Sequence, residues 1–152
     1  GNAATAGNDK EAVHENILKG AKIIACSGYT NDEEKPDFLL DGKTDTKWCD
    51  VSQTPNYVDF DLGKAQNISG WKMVNAGQES HSYITNGCFL QGKMNPGDEW
   101  TTLDAIDGNH ANVVSRPLNY DGKVRYIRLL VTRPTQSTGG RDTRIYELEV
   151  YK

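Results

Sequence analysis

The chain has 152 residues and a net charge of −4 at neutral pH, and none of its apolar runs approaches the roughly 20 residues that cross a bilayer. Its length fits one domain, long enough to bury about two-thirds of its unfolded surface. It has no basic cluster, although proteins that bind nucleic acid or anionic lipid depend on one. Composition therefore predicts no membrane insertion and no nucleic-acid partner.

The first residues differ in character from the rest of the chain. Residues 1–9 are small and polar, and we interpret them as a linker or an expression remnant that precedes a single domain over 10–152. Residues 9–18 predict a short helix with Asp9 as its N-cap, although a linker from a preceding domain fits equally well. No secretory signal is visible, which says nothing about export when the natural start is missing.

Short runs of β-branched and aromatic residues, separated by turn residues, predict an all-β chain. Three long polar loops, over 75–87, 107–112 and 133–143, separate the later runs. This spacing predicts a β-sandwich of antiparallel sheets with almost no helix. The predicted strands cover residues 22–26, 57–62, 68–74, 88–93, 103–106, 113–118, 125–132 and 145–151.

Two other features could carry chemistry. The three cysteines, Cys26, Cys49 and Cys88, match no zinc spacing. Three buried thiols are favoured, and a Cys26–Cys49 pair is left open. Asp59 and Asp61 lie two residues apart and could suggest the acid and nucleophile of a glycosidase. We favour instead a water-facing edge strand, because the pair shares the solvent face of a strand with no cleft nearby.

The stretch 38–49 has neither helical nor strand periodicity, yet it is rich in oxygen ligands. Ca²⁺ binds about 6–8 carboxylate, carbonyl and hydroxyl oxygens. Asp41 and Thr46 could bind through their side chains, and Phe38 and Lys43 through their backbone carbonyls. The alternative is an Asp-Gly turn with a capping Asp41, anchored by a buried Trp48.

Four stretches in this order and spacing resemble a known family. They are the 38–49 stretch, Tyr-Val-Asp-Phe-Asp-Leu-Gly at 57–63, Val-Arg-Tyr-Ile-Arg-Leu-Leu-Val at 124–131, and Arg-Ile-Tyr-Glu-Leu-Glu-Val-Tyr at 144–151. Together they resemble the discoidin-like domains, also called coagulation factor five/eight type C domains. The bacterial branch classed as family 32 carbohydrate-binding modules is the more similar one, and the resemblance covers 16–152.

The resemblance implies a discoidin-like, jelly-roll sandwich with a structural Ca²⁺ beside its binding loops. It adds the Tyr146 carbonyl and the Glu147 carboxylate to the candidate ligands. Position 43, often Asp or Asn in relatives, is Lys43 here, so the site would have one side-chain oxygen ligand fewer.

The resemblance also implies that loops at one end of the sandwich bind sugar. Asn75-Ala-Gly, Glu79 and Tyr83-Ile-Thr match the relatives' His-Ala-Gly, Gly-Glu and Tyr-Asn-Thr in part. Asn75 replaces a histidine that contacts the sugar in galactose-binding relatives, so altered selectivity is expected. Either Tyr29 or Tyr83 could be the ring on which a sugar stacks. The candidate sugar-binding residues are Tyr29, Asn75, Glu79, Tyr83, Asn112 and Arg141.

By this likeness the chain is a non-catalytic carbohydrate-binding module, monomeric when isolated and tethered to a larger secreted or cell-surface bacterial glycoside hydrolase. It would bind terminal galacto- or N-acetylhexosamine-type sugars, and its structural cofactor would be Ca²⁺. The alternative is a discoidin domain that binds a protein or lipid surface. Lipid-binding relatives carry apolar and basic loop residues, whereas these loops are polar.

Overall fold

A computed structural model describes residues 14–152 as a nearly all-β fold with two short 3₁₀ helices. The fold confirms the predicted class. The nine strands are β1 Lys22–Cys26, β2 Trp48–Asp50, β3 Asn56–Asn67, β4 Gly70–Asn75, β5 Gly87–Lys93, β6 Thr101–Ile106, β7 Val113–Pro117, β8 Lys123–Arg133 and β9 Thr143–Tyr151, and the 3₁₀ helices are Pro36–Leu40 and His81–Tyr83.

The strands form two antiparallel sheets packed face to face. One sheet has five strands in the order β1-β3-β8-β5-β6, and the other has four in the order β2-β9-β4-β7. Side chains alternate between the faces of a strand, so each sheet contributes one apolar face to a shared core. The fully buried Trp48, Trp71 and Phe60 are among its largest members. Each large apolar side chain buried there contributes about 1.5–3 kcal/mol.

Five connections leave the sheets at the same end, which we call the upper end. They are residues 27–47, 51–55, 76–86, 107–112 and 134–142. The pairing register places them together, because Gly87 faces Arg133 and Asp50 faces Thr143. The three predicted polar loops therefore lie at one end of the sandwich, as expected.

The two ends of the described chain meet at the opposite, lower end. Asn16 bridges Tyr151 in antiparallel fashion, and the Lys152 N–H donates to the Glu15 carbonyl. Residues 17–20 form a turn, so the part of the expected helix that lies within the described residues is not helical. The rest of that helix and the expected 1–9 linker lie outside the described residues.

Two local expectations need correction. The 38–49 stretch begins in a 3₁₀ helix and ends in β2, where Trp48 and Cys49 pair with β9. Strand β3 is not an edge strand, because β1 and β8 flank it. Cys26, Cys49 and Cys88 are all free, which confirms the favoured free thiols over a Cys26–Cys49 pair, although Cys26 is half-buried rather than buried. Burial raises the pKa of Cys88 to about 12, which keeps that thiol protonated.

Within residues 14–152, no helix is both long and apolar enough to span a bilayer.

Asp104 on β6 joins the two sheets through polar contacts at the core margin. It accepts a hydrogen bond of 2.8 Å from the Trp71 indole on β4 and two of 2.8 Å from the Arg116 guanidinium on β7. The Arg116 contact holds the pKa of Asp104 below its usual value. A charged acceptor thus satisfies the buried indole N–H, which would be costly to leave unpaired.

We predict that Asp104→Asn lowers the free energy of unfolding at neutral pH by about 1–2 kcal/mol. The loss is this small because the Arg116 side chain is nearly half exposed, so solvent screens its attraction to Asp104. The folded-state pKa is depressed, so the carboxylate's contribution is complete above about pH 4, the unfolded value. It is lost as pH falls through the lower folded pKa. Urea denaturation from neutral to acidic pH measures the effect.

The control for this prediction is Trp71→Phe, which removes the indole N–H and keeps the Asp104–Arg116 pair. Its pH dependence should stay close to that of the wild type. An Asp104→Asn variant whose stability difference from the wild type does not shrink in acid would contradict the assigned role.

Candidate glycan-binding end

Two asparagines hold the upper-end loops together. Asn75, at the end of β4, is fully buried. Its amide donates to the Asn112 carbonyl at 3.1 Å and accepts from the Thr85 N–H at 3.1 Å. Asn112 in turn accepts the Gly77 N–H at 2.7 Å with its side-chain oxygen. The 76–86 and 107–112 loops are therefore joined by amide side chains, which can donate and accept at once.

Gln136 ties the third loop to the other two. Its backbone N–H donates to the Ser82 carbonyl at 3.0 Å. Its side-chain amide donates to the carbonyls of Ile84 and Asn109 at 2.8 and 2.9 Å, and its oxygen lies 2.8 Å from His110 Nδ1. Three loops distant in sequence therefore form one surface.

A depression of about 260 Å³ opens between these loops, and we call it the Tyr83 depression. The Arg144 guanidinium lies 3.8 Å from the centre of the Tyr83 ring and also contacts Asp142 at 3.1 Å. Arg141 is exposed on the rim and donates to the Val51 carbonyl at 3.3 Å. The depression thus combines a ring with guanidinium and carboxylate groups. The other lining residues are Ser82, Thr135, Ser137 and Gly140.

Glu79 links this surface to the neighbouring strand β9 and the 41–47 stretch. It accepts the Tyr146 hydroxyl at 2.6 Å and the Lys47 ammonium at 3.1 Å. Burial and the bond to Glu79 raise the pKa of Tyr146 to about 12, so its hydroxyl stays protonated and donates. Burial alone would lower the pKa of Lys47, but Glu79 and Glu34 raise it. Lys47 is therefore a fixed positive charge between two carboxylates.

The six sequence-predicted sugar residues fall into three groups. Tyr83 and Arg141 line the Tyr83 depression, and Glu79 bonds Tyr146, which packs in a small buried cluster beside Tyr83. Asn75 and Asn112 bond other loop atoms instead, so their evident role is to position loops. Tyr29 is 48% exposed on the 27–47 connection, outside the lining of that depression.

Residues of the predicted metal site converge around Gly42. The Asp41 carboxylate accepts the Lys43 N–H at 3.0 Å and the Thr46 hydroxyl at 2.5 Å. The Gly42 N–H donates to Glu147 at 3.2 Å. Gly42 has a positive φ of 74°, a conformation that favours glycine. The expected Asp-Gly turn is therefore present, Trp48 is buried as expected, and the turn brings Asp41 and Glu147 close to each other.

The donor set fits a calcium ion. Glu147 is buried, and burial raises its pKa to about 8, with the Glu149 and Asp41 charges adding to the effect. A nearby cation would offset that cost. The β4–β9 register skips Tyr146, so a β-bulge, which re-aims backbone groups, lies beside Glu147. Among residues 14–152 no three His, Cys, Asp or Glu side chains cluster as a metal site, so a cation here would also need carbonyl ligands, for which Phe38, Lys43 and Tyr146 are the sequence-predicted candidates.

The paired carboxylates of β3 are structural. Asp59 accepts two hydrogen bonds from Arg128, at 2.6 and 2.8 Å, and Asp61 accepts two from Arg125, at 3.0 and 3.2 Å. The bond from Arg125 lowers the pKa of Asp61. A general acid needs a raised pKa, which Asp61 lacks, and Arg128 occupies both carboxylate oxygens of Asp59, so the pair does not fit glycosidase chemistry.

A two-sheet sandwich whose polar loops gather at one end defines the discoidin-like architecture. A sequence model of the F5/8 type C domain matches residues 22–148, and the chain belongs to that family. Comparison with curated proteins finds no match.

Solved structures extend the likeness. The family 32 carbohydrate-binding module of Streptococcus pneumoniae EndoD is 27% identical, with a TM-score of 0.78 over 91% of this chain and 99% of that one. Chitosan-binding module 2 of a Paenibacillus sp. IK-5 chitosanase/glucanase, in complex with chitotriose, is 20% identical with a TM-score of 0.73, covering 90% and 100%. CpGH89CBM32-5 of Clostridium perfringens, in complex with GalNAc-β-1,3-galactose, is 17% identical with a TM-score of 0.76, covering 91% and 100%.

Sequence reasoning missed Arg144, Asp142 and Lys47. In the sequence Arg144 is only the first residue of the 144–151 stretch that resembles the family, whereas in the structure it is the second residue of β9 and borders the 134–142 loop. That position was the available signal. Lys47 gave none, because its partners Glu34 and Glu79 are distant in sequence.

We predict that Gly77→Ala loosens the junction between the 76–86 and 107–112 loops. A Cβ at Gly77 would lie 2.5 Å from the Asn112 side-chain oxygen, so Asn112 must release its bond. The expected cost is about 1–3 kcal/mol of stability, with faster amide exchange at residues 75–77. Gly97→Ala is the matched control, because its Cβ would meet open space. Equal stability and equal amide-exchange rates in the two variants would show that the Gly77–Asn112 contact does not hold the two loops together.

Proposed function

We propose that this domain is a non-catalytic carbohydrate-binding module that tethers a larger secreted or cell-surface bacterial glycoside hydrolase to glycans. Its ligands are terminal galacto- or N-acetylhexosamine-type sugars. Its binding site is the Tyr83 depression, at the upper end of the sandwich. The isolated domain is a monomer.

The observation that carries this proposal is the combination of Tyr83, Arg144, Arg141 and Asp142 in one shallow depression. A sugar has an apolar C–H face, which packs on aromatic rings, and adjacent hydroxyls that both donate and accept. Arg144 lies over the Tyr83 ring, so a sugar that stacks on this face would displace the guanidinium, which can then bind the sugar hydroxyls. Guanidinium and carboxylate groups bind such hydroxyl pairs through directional hydrogen bonds. Small, rim-exposed sites of this kind give modest affinity and exchange ligand quickly.

The parent enzyme is inferred from two similar modules. One comes from EndoD, and the other comes from a chitosanase/glucanase and was solved with chitotriose. These observations support a glycan partner and a hydrolase parent for this chain.

One observation favours a second function, which is binding to a protein or lipid surface. Tyr29 and Val51 are both exposed at the upper end, and the Thr30 N–H bonds the Cys49 carbonyl, so their two segments run side by side. Exposed apolar loop residues suit such contacts. Sedimentation with liposomes distinguishes this function, because a glycan module stays in the supernatant.

We predict that the folded domain binds a narrow set of terminal sugars on a glycan array. Tyr83→Ala and Arg141→Ala should each lower affinity about tenfold or more, because each removes a contact worth roughly 1.4 kcal/mol. Isothermal titration with the array-selected sugar measures this. Tyr29→Ala decides which ring is the platform, since it should leave affinity unchanged if the sugar stacks on Tyr83.

Thermal unfolding of each variant controls for lost structure, because Tyr83 packs against a buried cluster. A blank array with correctly folded protein would contradict the glycan proposal and favour the surface-binding alternative.

We further propose a structural Ca²⁺ held by the Asp41 and Glu147 carboxylates and the Thr46 hydroxyl, with the Phe38, Lys43 and Tyr146 carbonyls. Bound metal supplies positive charge that stabilises the buried Glu147 and the turn at Gly42. The chain's own contribution to that turn is the positive φ of Gly42 and the hydrogen bonds that Asp41 and Glu147 accept.

We predict that Ca²⁺ at about 100 times its dissociation constant stabilises the domain by roughly 2.7 kcal/mol, which raises Tm by about 5–10 °C. Chelation should reverse that shift with little change in sugar affinity. Asp41→Ala should abolish the shift, whereas Asp45→Ala, in the same loop, should retain it. A chelator that abolishes sugar binding while Tm stays constant would show that the ion is not structural.

A further inference from the structure

We propose that the glycan-binding surface continues from the Tyr83 depression, over the 134–142 loop, to Phe89 on the outer face of the five-stranded sheet. The domain would then bind an extended oligosaccharide rather than a terminal sugar alone. This inference rests on the proposed glycan-binding function.

The first step is the continuity of three depressions. The Tyr83 depression shares Thr135, Ser137 and Gly140 with a second one of about 290 Å³. The second shares Thr132 and Arg133 with a third of about 240 Å³, which contains Phe89. Each is below the roughly 300–1,000 Å³ of typical ligand pockets, so none encloses a large ligand alone. Joined by shared walls, they form one track.

The middle of the track requires a residue without a side chain. A Cβ on Gly140 would collide with the Thr135 side chain, so only glycine fits beside that threonine. The surrounding groups are the hydroxyls of Thr54, Thr132 and Ser137 and the amide of Asn86. They can donate to and accept from sugar hydroxyls without selecting one charge.

The far end supplies a second ring. Cys88 and Leu90 are buried in the core, so Phe89 between them points to the outer face, where it is half-buried. Its partner across the β5–β6 pair is Ala105, which is exposed and small and leaves the ring edge uncovered. This gives a partly open aromatic surface where the track leaves the upper end.

A charged pair stands beside that ring. Arg133 and Asp107 are 2.8 Å apart, with side chains 62% and 71% exposed. Such an exposed pair adds little stability, about 0–1 kcal/mol, so its side chains can exchange their mutual contact for a ligand at small cost. The pair presents donors and acceptors side by side, matching vicinal hydroxyls.

These features favour an oligosaccharide as the occupant. The rings of Tyr83 and Phe89 are separated by the second depression, which hydroxyl groups line. This order suits a chain of sugars, which presents both C–H faces and hydroxyl edges. A peptide strand would need an open sheet edge for backbone pairing. Strands β5 and β8 along the track are interior, and the edge strand β6 lines only its far end, so most of the track offers no backbone pairing.

The test is an NMR titration of the ¹⁵N-labelled domain with chitotriose and with GalNAc-β-1,3-galactose, each compared with its own monosaccharide units. Every sugar that binds should shift the amides of Tyr83 and Gly140. The longer glycan should also shift Phe89 and Ala105, and the monosaccharides should not.

Variants sharpen the readout. Phe89→Ala and Arg133→Gln should each weaken binding of the longer glycan by about fivefold, which corresponds to ~1 kcal/mol, and leave monosaccharide affinity unchanged. Trp100→Ala is the matched control. Trp100 lies over Arg128 and Lys93 on the same sheet but lines none of the three depressions. It should leave both affinities unchanged.

The outcomes separate the two proposals. Longer-glycan shifts confined to Tyr83 and Gly140, or an equal loss in Trp100→Ala, overturn the track and leave the glycan module intact. Absence of shifts at both places with all these sugars overturns the track and the glycan function together.

Discussion

The arrangement of the upper end depends on the buried amide of Asn75. A buried side-chain amide must be fully bonded, because an unpaired donor or acceptor costs about 1–3 kcal/mol. Here the amide is satisfied only when the 107–112 loop and Thr85 lie against it. Asn112, positioned by that contact, fixes Gly77 and the start of the loop that carries Tyr83. One buried amide therefore sets the relative position of the two loops, and the Gly77–Asn112 bond that follows from it joins residues 35 apart in sequence.

Strand β9 connects this surface to the candidate metal turn. Its bulge at Tyr146 lets consecutive residues serve different partners. The Tyr146 hydroxyl donates to Glu79 on the side of the 76–86 loop, while Glu147 accepts the Gly42 N–H on the side of the Gly42 turn. Gln78 adds a bond to the Thr44 carbonyl. Displacement of the turn would thus be transmitted to Glu79 through a short covalent and hydrogen-bonded path.

Local pattern was enough to predict most of the strands, because alternation along β3 and β9 and the turns between them are properties of neighbouring residues. The Asp-Gly turn at Gly42 followed from the same local chemistry. Pattern could not show that Asn75 is buried, since an asparagine before a polar loop reads as exposed. Nor could it pair Asp59 with Arg128 or place Arg144 over Tyr83, because those contacts depend on how the sheets and loops assemble. Resemblance located the loops, but the roles of their residues required geometry.

The pairing of Asn16 with Tyr151 has a mechanical consequence. Both ends of the described fold leave at the lower end, and β9 alone separates them from the loops by roughly 27 Å, at about 3.4 Å per residue. A chain segment attached before residue 14 or after residue 152 would join the domain at its lower end, opposite the upper-end loops. A small change in the angle of that attachment would therefore move the loops through a large distance. In a tethered glycan-binding module of the kind proposed, such reach would raise the local concentration of the loops at a surface rich in sugar chains without any change in the contacts themselves.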